Sequence, residues 1–144
     1  MLLPDINVWL ALAFEAHVHH VPARDWFETV DPRTCAFCRF TQQGFLRLAT
    51  NPSVFGKEAV NMQDAWGLYD QLISDERVLF LAEPGGLETS WRKHTRDRKY
   101  SHKLWSDAYL ASFAELGAGR NVTFDRGFRS FKGINAIILK PSKN

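Results

Sequence analysis

The side chains best placed to do chemistry in this chain are three aspartates, Asp5, Asp107 and Asp125. Asp5 comes directly after the apolar run Leu2-Leu3-Pro4 and before Asn7 and an apolar stretch at helical spacing. It reads as an acid delivered to the tip of a buried first strand, with Asn7 capping the helix that follows. Asp125 follows Asn121-Val122-Thr123-Phe124 in the same manner, at the end of a later strand. Asp107 falls in the first turn of the helix before that strand, where the positive end of a helix dipole suits a carboxylate. Ligands of open α/β sheets gather outside the carboxyl ends of the strands. Topology therefore brings three residues remote in sequence to one rim. Carboxylates held together repel, and their pKa values rise unless a cation lies between them. With oxygen donors alone, and no His or Cys at the strand tips, the set favours Mg2+ or Mn2+ over zinc. Such a metal acidifies bound water and stabilises charge on a phosphoryl oxygen, which suits hydrolysis of a phosphodiester. Each aspartate taken alone reads equally as a cap or turn residue. The site rests on the three together.

Placing these groups calls for a parallel sheet. Apolar residues at helical spacing predict helices over 7–14, 21–30, 42–49, 62–73, 87–98 and 107–116. Asp31-Pro32 breaks the second, Thr41 caps the third, and Asn51-Pro52-Ser53 ends it. Ser106 caps the last, and Gly117 and Gly119 stop it. Short apolar runs predict strands over 33–40, 78–81, 120–124 and 136–139 besides the first. Strands alternating with helices argue for one α/β domain over residues 1–140, a mostly parallel five-stranded sheet covered on both faces. Residues 141–144 read as a frayed tail. Trp9, Trp26 and Trp66 read as core, and Trp105 as either core or a base-stacking platform.

A length of 144 residues with 45% hydrophobic content is enough for one good core and excludes a disordered chain. No apolar stretch approaches the roughly 20 residues of a membrane span, and no signal peptide opens the chain. The expectation is a cytoplasmic protein. Cys35 and Cys38 have no second pair to complete a zinc site and no strand-to-helix turn of the thioredoxin kind. They read as small apolar residues in a reducing compartment. His17, His19 and His20 have metal-like spacing but fall in a connection far from any strand tip.

The formal net charge of +2 neither requires nor opposes a nucleic-acid partner. The local pattern says more. Arg92, Lys93, His94, Arg96, Arg98, Lys99, His102 and Lys103 crowd a dozen positions, with only Asp97 opposing them. Such a run can follow a phosphate backbone, and Arg126 beside Asp125 can contact a phosphate.

Three segments together resemble the signature of PIN domains: Pro4-Asp5-Ile6-Asn7-Val8-Trp9-Leu10, Trp105-Ser106-Asp107-Ala108-Tyr109-Leu110-Ala111 and Thr123-Phe124-Asp125-Arg126-Gly127-Phe128. The likeness is to the VapC-type ribonuclease toxins of toxin–antitoxin pairs, and it covers almost the whole chain. It implies a three-layer PIN fold and an endoribonuclease dependent on Mg2+ or Mn2+. It further implies a homodimer and a cognate antitoxin that blocks the site. By motif match Asp5, Asp107 and Asp125 take the metal-ligand roles, Thr123 supports them by hydrogen bonding, and Asn7 is a polar neighbour. One departure stands out. Where the family usually carries a further acid after the second strand, this chain reads Thr41-Gln42-Gln43-Gly44, with Gln42 the best match. A neutral amide cannot act as a base. A catalytically weak module that binds RNA or an antitoxin is therefore the alternative. A phosphohydrolase of the haloacid-dehalogenase kind would need an acid at position 7, where Asn7 stands.

Overall fold

The structure, a computed structural model, describes residues 1–142. Its sheet has five strands: β1 (Leu2–Pro4), β2 (Cys35–Phe37), β3 (Val78–Phe80), β4 (Arg120–Thr123) and β5 (Ile137–Ile138). Their order is β3-β2-β1-β4-β5. Every neighbouring pair is parallel, so the sheet is parallel throughout rather than mostly so. The chain runs outward from β1 to β2 and β3, then returns to lay β4 on the other side of β1. The strand order thus reverses between β1 and β4. A crevice opens there at the carboxyl ends, where such sheets bind ligands.

The helices are α1 (Ile6–Ala13), α2 (His20–Phe27), α3 (Arg39–Ala49), α4 (Pro52–Phe55), α5 (Met62–Ile73), α6 (Leu87–Thr95) and α7 (Leu104–Leu116). Alternate residues of a strand face opposite sides, and β2 shows how this makes three layers. Ala36 packs with Leu87, Leu104, Ala108 and Phe113 of α6 and α7. Cys35 and Phe37 pack with Trp9, Phe45, Ala49 and Tyr69 of α1, α3 and α5. Trp9 stacks on Phe37 at 3.8 Å between ring centroids, and Tyr69 meets Phe37 edge-on at 5.0 Å. Both cysteines are buried and free, and burial pushes the Cys35 thiol up to about 12. A thiol held so far from ionisation is packing, not a nucleophile. Gly44 lets α3 approach α1, because a Cβ there would collide with the Ile6 side chain.

Several element boundaries differ from the sequence expectation, each for a local reason. Helix α3 starts at Arg39 because Cys38, not Thr41, is its cap. Thr41 instead reaches back, its hydroxyl accepting from the Cys38 amide at 3.0 Å. Asn51-Pro52 opens α4 instead of only closing α3: Asn51 accepts from the Ser53 amide at 2.9 Å, and Pro52 fills a position that needs no donor. Helix α7 begins at Leu104, so Ser106 lies inside it and is not its cap. Helix α6 ends at Thr95, and α2 covers only His20–Phe27. Trp66 is half exposed, and Trp26 only partly buried, so neither joins Trp9 in the fully enclosed core. At the tail, the Ser142 amide donates to His19 Nδ1 at 3.1 Å, so the chain is docked at least that far. The remainder of the expected frayed tail, residues 143–144, lies outside the described residues.

Candidate active site

Asp5 leaves β1 at the switch point, and its backbone amide donates to Val122 O at 2.8 Å, continuing the β1–β4 ladder. It is also the cap of α1, its Oδ1 accepting from the Ile6 amide at 2.7 Å. Asn7, expected to be that cap, lies instead within the first turn of α1. Its carboxamide crosses to β4, donating to Thr123 Oγ1 at 3.4 Å and accepting from the Phe124 amide at 3.5 Å. The position where a haloacid-dehalogenase-like enzyme needs an acid is thus occupied by an amide that ties two strand tips together. Thr123 is the hub. Its hydroxyl donates to Asp5 Oδ2 at 3.0 Å and accepts from the Asp125 amide at 3.0 Å. Asp125 in turn accepts from the Gly127 amide at 2.8 Å and caps the short 3-10 helix Arg126–Ser130. Asp107, in the first turn of α7, has no hydrogen-bond partner for its carboxylate among the described residues.

The electrostatics follow from this crowding. Burial raises the Asp5 pKa, hydrogen bonds from Thr123 and Ile6 oppose the rise, and Asp125 adds to it. Burial, then the charges of Asp5 and Asp125, push Asp107 up to about 7. Lys103 counters both shifts. Its ammonium is 3.4 Å from Asp125 Oδ2, a positive charge set against the acidic rim. Among the described residues, no three His, Cys, Asp or Glu side chains converge tightly enough to form a ligand cluster as they stand. The three carboxylates sense one another without yet meeting at a point. Their chemistry still fits a hard divalent ion: the donors are all oxygen, and burial with mutual repulsion raises Asp5 and Asp107.

A raised acid pKa has a definite sign for stability. The folded chain keeps a proton on Asp107 up to about 7, whereas the unfolded chain loses it near the ordinary 3.8. Between those values the folded state binds more protons, so each rise in pH favours unfolding. Without divalent ions, the melting temperature is therefore expected to fall from about pH 4 to about pH 7 and then level off. Asp107→Asn should flatten that fall. An Asp107→Asn profile that falls as steeply as wild type across this interval would refute the assignment.

Beside the acids lies a cleft of about 330 Å3, lined by Asp107, Asp125, Arg98, Lys99 and Lys103 among others. The basic run divides here. Arg98, Lys99 and Lys103 face the cleft, with Arg98 also donating to Ser130 at 2.9 Å. The rest is opposed by more than Asp97. Arg92 pairs with Glu88 at 3.5 Å, Arg96 with Asp97 at 3.9 Å, and Lys93 with Glu115 at 3.2 Å. His94 is buried against Glu115. Glu115 lies on α7, twenty-odd residues on, a pairing that local sequence spacing does not signal. Arg126 is exposed and has no ion-pair partner among the described residues. Gln42 is buried and accepts from Arg39, and no described hydrogen bond joins it to the three aspartates. His19 is nearer the site than its connection implied. Its ring stacks on Phe124, the residue before Asp125, at 4.9 Å.

A fully parallel sheet with acids gathered at its switch point is the plan of a PIN domain, and a family model of that description matches residues 2–134. The chain belongs to the PIN-domain family. Its curated relatives are VapC proteins. It is 42% identical over 144 residues to ribonuclease VapC41 of Mycobacterium tuberculosis, spanning 96% of this chain and 99% of the relative. Ribonuclease VapC38 of the same organism is 32% identical over 88% of this chain and 86% of its own length. Among solved structures, VapC20 of M. tuberculosis, a sarcin–ricin loop cleaving toxin, aligns with a TM-score of 0.68 at 15% identity. That alignment covers 95% of this chain and 98% of VapC20. VapBC2 of Rickettsia felis aligns at 0.69 with 9% identity, covering 96% and 98% of the two chains. At such low identity these structures speak to the fold alone.

Proposed function

We propose that this chain is a VapC-type toxin: an endoribonuclease that cuts RNA phosphodiesters with Mg2+ or Mn2+ and is held in check by a cognate antitoxin. The observation that carries this reading is the placing of Asp5, Asp107 and Asp125 at the switch point, Thr123 joining Asp5 to the Asp125 amide and Asp107 and Asp125 lining one cleft with Arg98, Lys99 and Lys103. The family and the VapC relatives support it. Asp5, Asp107 and Asp125 would hold the ion. When bound, it supplies positive charge to a phosphoryl oxygen and makes water acidic enough to attack near neutral pH. The rest falls to the protein. Thr123 and Asn7 fix the orientation of Asp5, and the three cleft cations seat the phosphates on either side of the cut. Lys103, 3.4 Å from Asp125 Oδ2, sets a positive charge between the acids and the phosphate path. The exposed apolar residues Val54, Met62 and Trp66 on α4 and α5 support a second copy as the dimer partner. A cytoplasmic location suits an RNA substrate, and no helix among the described residues is long and apolar enough to cross a membrane.

The test is direct. Unstructured RNA should be cut with Mg2+ or Mn2+, left intact with EDTA, and left intact by Asp5→Asn. Expression should arrest growth, and the arrest should be relieved by Asp125→Ala. Cutting that persists in EDTA would reject the reading. Folded protein that binds RNA with or without metal but never cuts would instead favour the catalytically weak module, for which Gln42 is the supporting residue.

Charge in the cleft sets a second expectation. Three phosphate contacts to single-stranded RNA give a slope of log affinity against log salt of about −2, at roughly −0.7 per contact. Lys99→Ala should make it shallower by about 0.7. An unchanged slope would remove Lys99 from the RNA path.

A further inference from the structure

A second hollow, about 560 Å3, lies on the other side of the α7 N-terminus from the acidic cleft. Its walls are aromatic: Phe40, Trp91, Trp105 and Tyr109. Trp91 meets Trp105 edge-on at 6.0 Å and Tyr109 edge-on at 5.6 Å. The Trp91 indole N–H donates to Trp105 O at 2.9 Å, which fixes Trp91, and Trp105 is 59% exposed. The rim is polar and mixed. Glu83 accepts from the Tyr109 hydroxyl at 2.9 Å, and Arg39 and Gln43 stand nearby. Nothing in the catalytic reading uses these groups.

We propose that this hollow is a nucleobase subsite, holding an unpaired base of the RNA strand next to the phosphate being cut. The inference rests on the ribonuclease reading above and deepens it. Three observations point to a base. The first is continuity: Trp105 and Ser106 line the hollow, while Lys103, Leu104 and Asp107, from the same helical turn, line the cleft. A helix with its side chains is about 10 Å across, so a strand whose phosphates lie on one side can place a neighbouring base on the other. The second is chemistry. A base is a flat π-surface with donors and acceptors on its edge. The hollow offers aromatic faces with donors and acceptors on its rim, the means by which proteins bind splayed single-stranded bases. The third is charge. The cleft across the helix from the hollow is lined by Arg98, Lys99 and Lys103, which suits a phosphate-bearing strand rather than an apolar peptide segment. Trp105 is then a specificity-determining residue, two positions before Asp107 on the same helix.

The probe is a 10-nucleotide unstructured RNA and a matched oligonucleotide with one abasic position, moved stepwise along the strand. Binding is followed by the anisotropy of a fluorophore on the RNA 5′ end in an Asp107→Asn background, so that the RNA is not consumed. Trp105→Ala should weaken binding of the intact RNA by about 10-fold, the scale of one lost base–aromatic stack. Trp105→Phe should restore most of it. For one abasic position near the cut, the Trp105→Ala penalty should vanish, since the missing base has nothing left to lose. Equal penalties on intact and all abasic strands would overturn the subsite. So would unchanged RNA binding by Trp105→Ala accompanied by lost binding of the antitoxin, because the hollow would then be a protein-docking surface. Wild-type protein that neither binds nor cuts RNA is a different failure, which rejects the ribonuclease reading itself. Wild-type cutting with unchanged site preference and KM in Trp105→Ala rejects only the subsite.

Discussion

Asp107→Asn is expected to slow RNA cleavage by more than about 100-fold while leaving a folded protein. Replacing groups that merely orient metal ligands costs roughly 10- to 100-fold, and a group that holds the ion itself should cost more. Asp107 is the sharpest of the three to test. Asp5 also caps α1, and Asp125 also caps a 3-10 helix, so changes there mix chemistry with folding. The Asp107 carboxylate makes no described hydrogen bond, and its pKa of about 7 marks it as strained by burial and by its neighbours. Asparagine keeps the shape and removes the repulsion. Without divalent ions the variant should melt no lower than wild type at pH 7, and it should melt higher if the repulsion is as large as the pKa implies. Activity and stability thus move in opposite directions, as expected where a site is built against the stability of the fold. Loss of activity together with a lower melting temperature would mean that Asp107 is a structural residue.

Phe37→Ala carries the largest expected effect on stability, about 3–5 kcal/mol. Phe37 is fully buried at the carboxyl end of β2, where it stacks on Trp9 and meets Phe45 and Tyr69 edge-on. Its removal would leave a cavity among three rings from three helices, none of which can collapse into it without leaving its own contacts. For a chain of this size the melting temperature should drop by on the order of 10 °C. Where folded protein remains, cleavage should be intact, because β2 carries none of the acids. A drop of only a few degrees would mean that the core repacks.

The acidic rim was legible in the sequence because each acid follows a local signal: an apolar run ending in Asp, or an Asp in a first helical turn. The strand order was not legible, yet it is what places β1 beside β4 and brings Asp5 to Asp125. Capping is ambiguous in sequence where two cap-forming residues stand close together. Asp5 and Asn7 are both good caps, and only the β4 tip decides that Asn7 turns across to Thr123. Within its own dozen positions only Asp97 opposes the basic run. Its partners Glu115 and Asp125 are far along the chain, and pairing them needs the packing of α6 on α7. Trp66 has the helical spacing of a core residue, but α5 buries only Ala65 and Tyr69, and Trp66 is half exposed.

Titration of Mn2+ by electron paramagnetic resonance in the absence of RNA asks directly whether the three acids share a cation. Wild-type protein near pH 7 should quench the free-Mn2+ signal saturably and release protons as it does so. Asp107→Asn should bind at least about 10-fold more weakly. A free-Mn2+ signal that wild-type protein leaves unchanged, in a preparation that nonetheless cuts RNA, would contradict the shared-cation site.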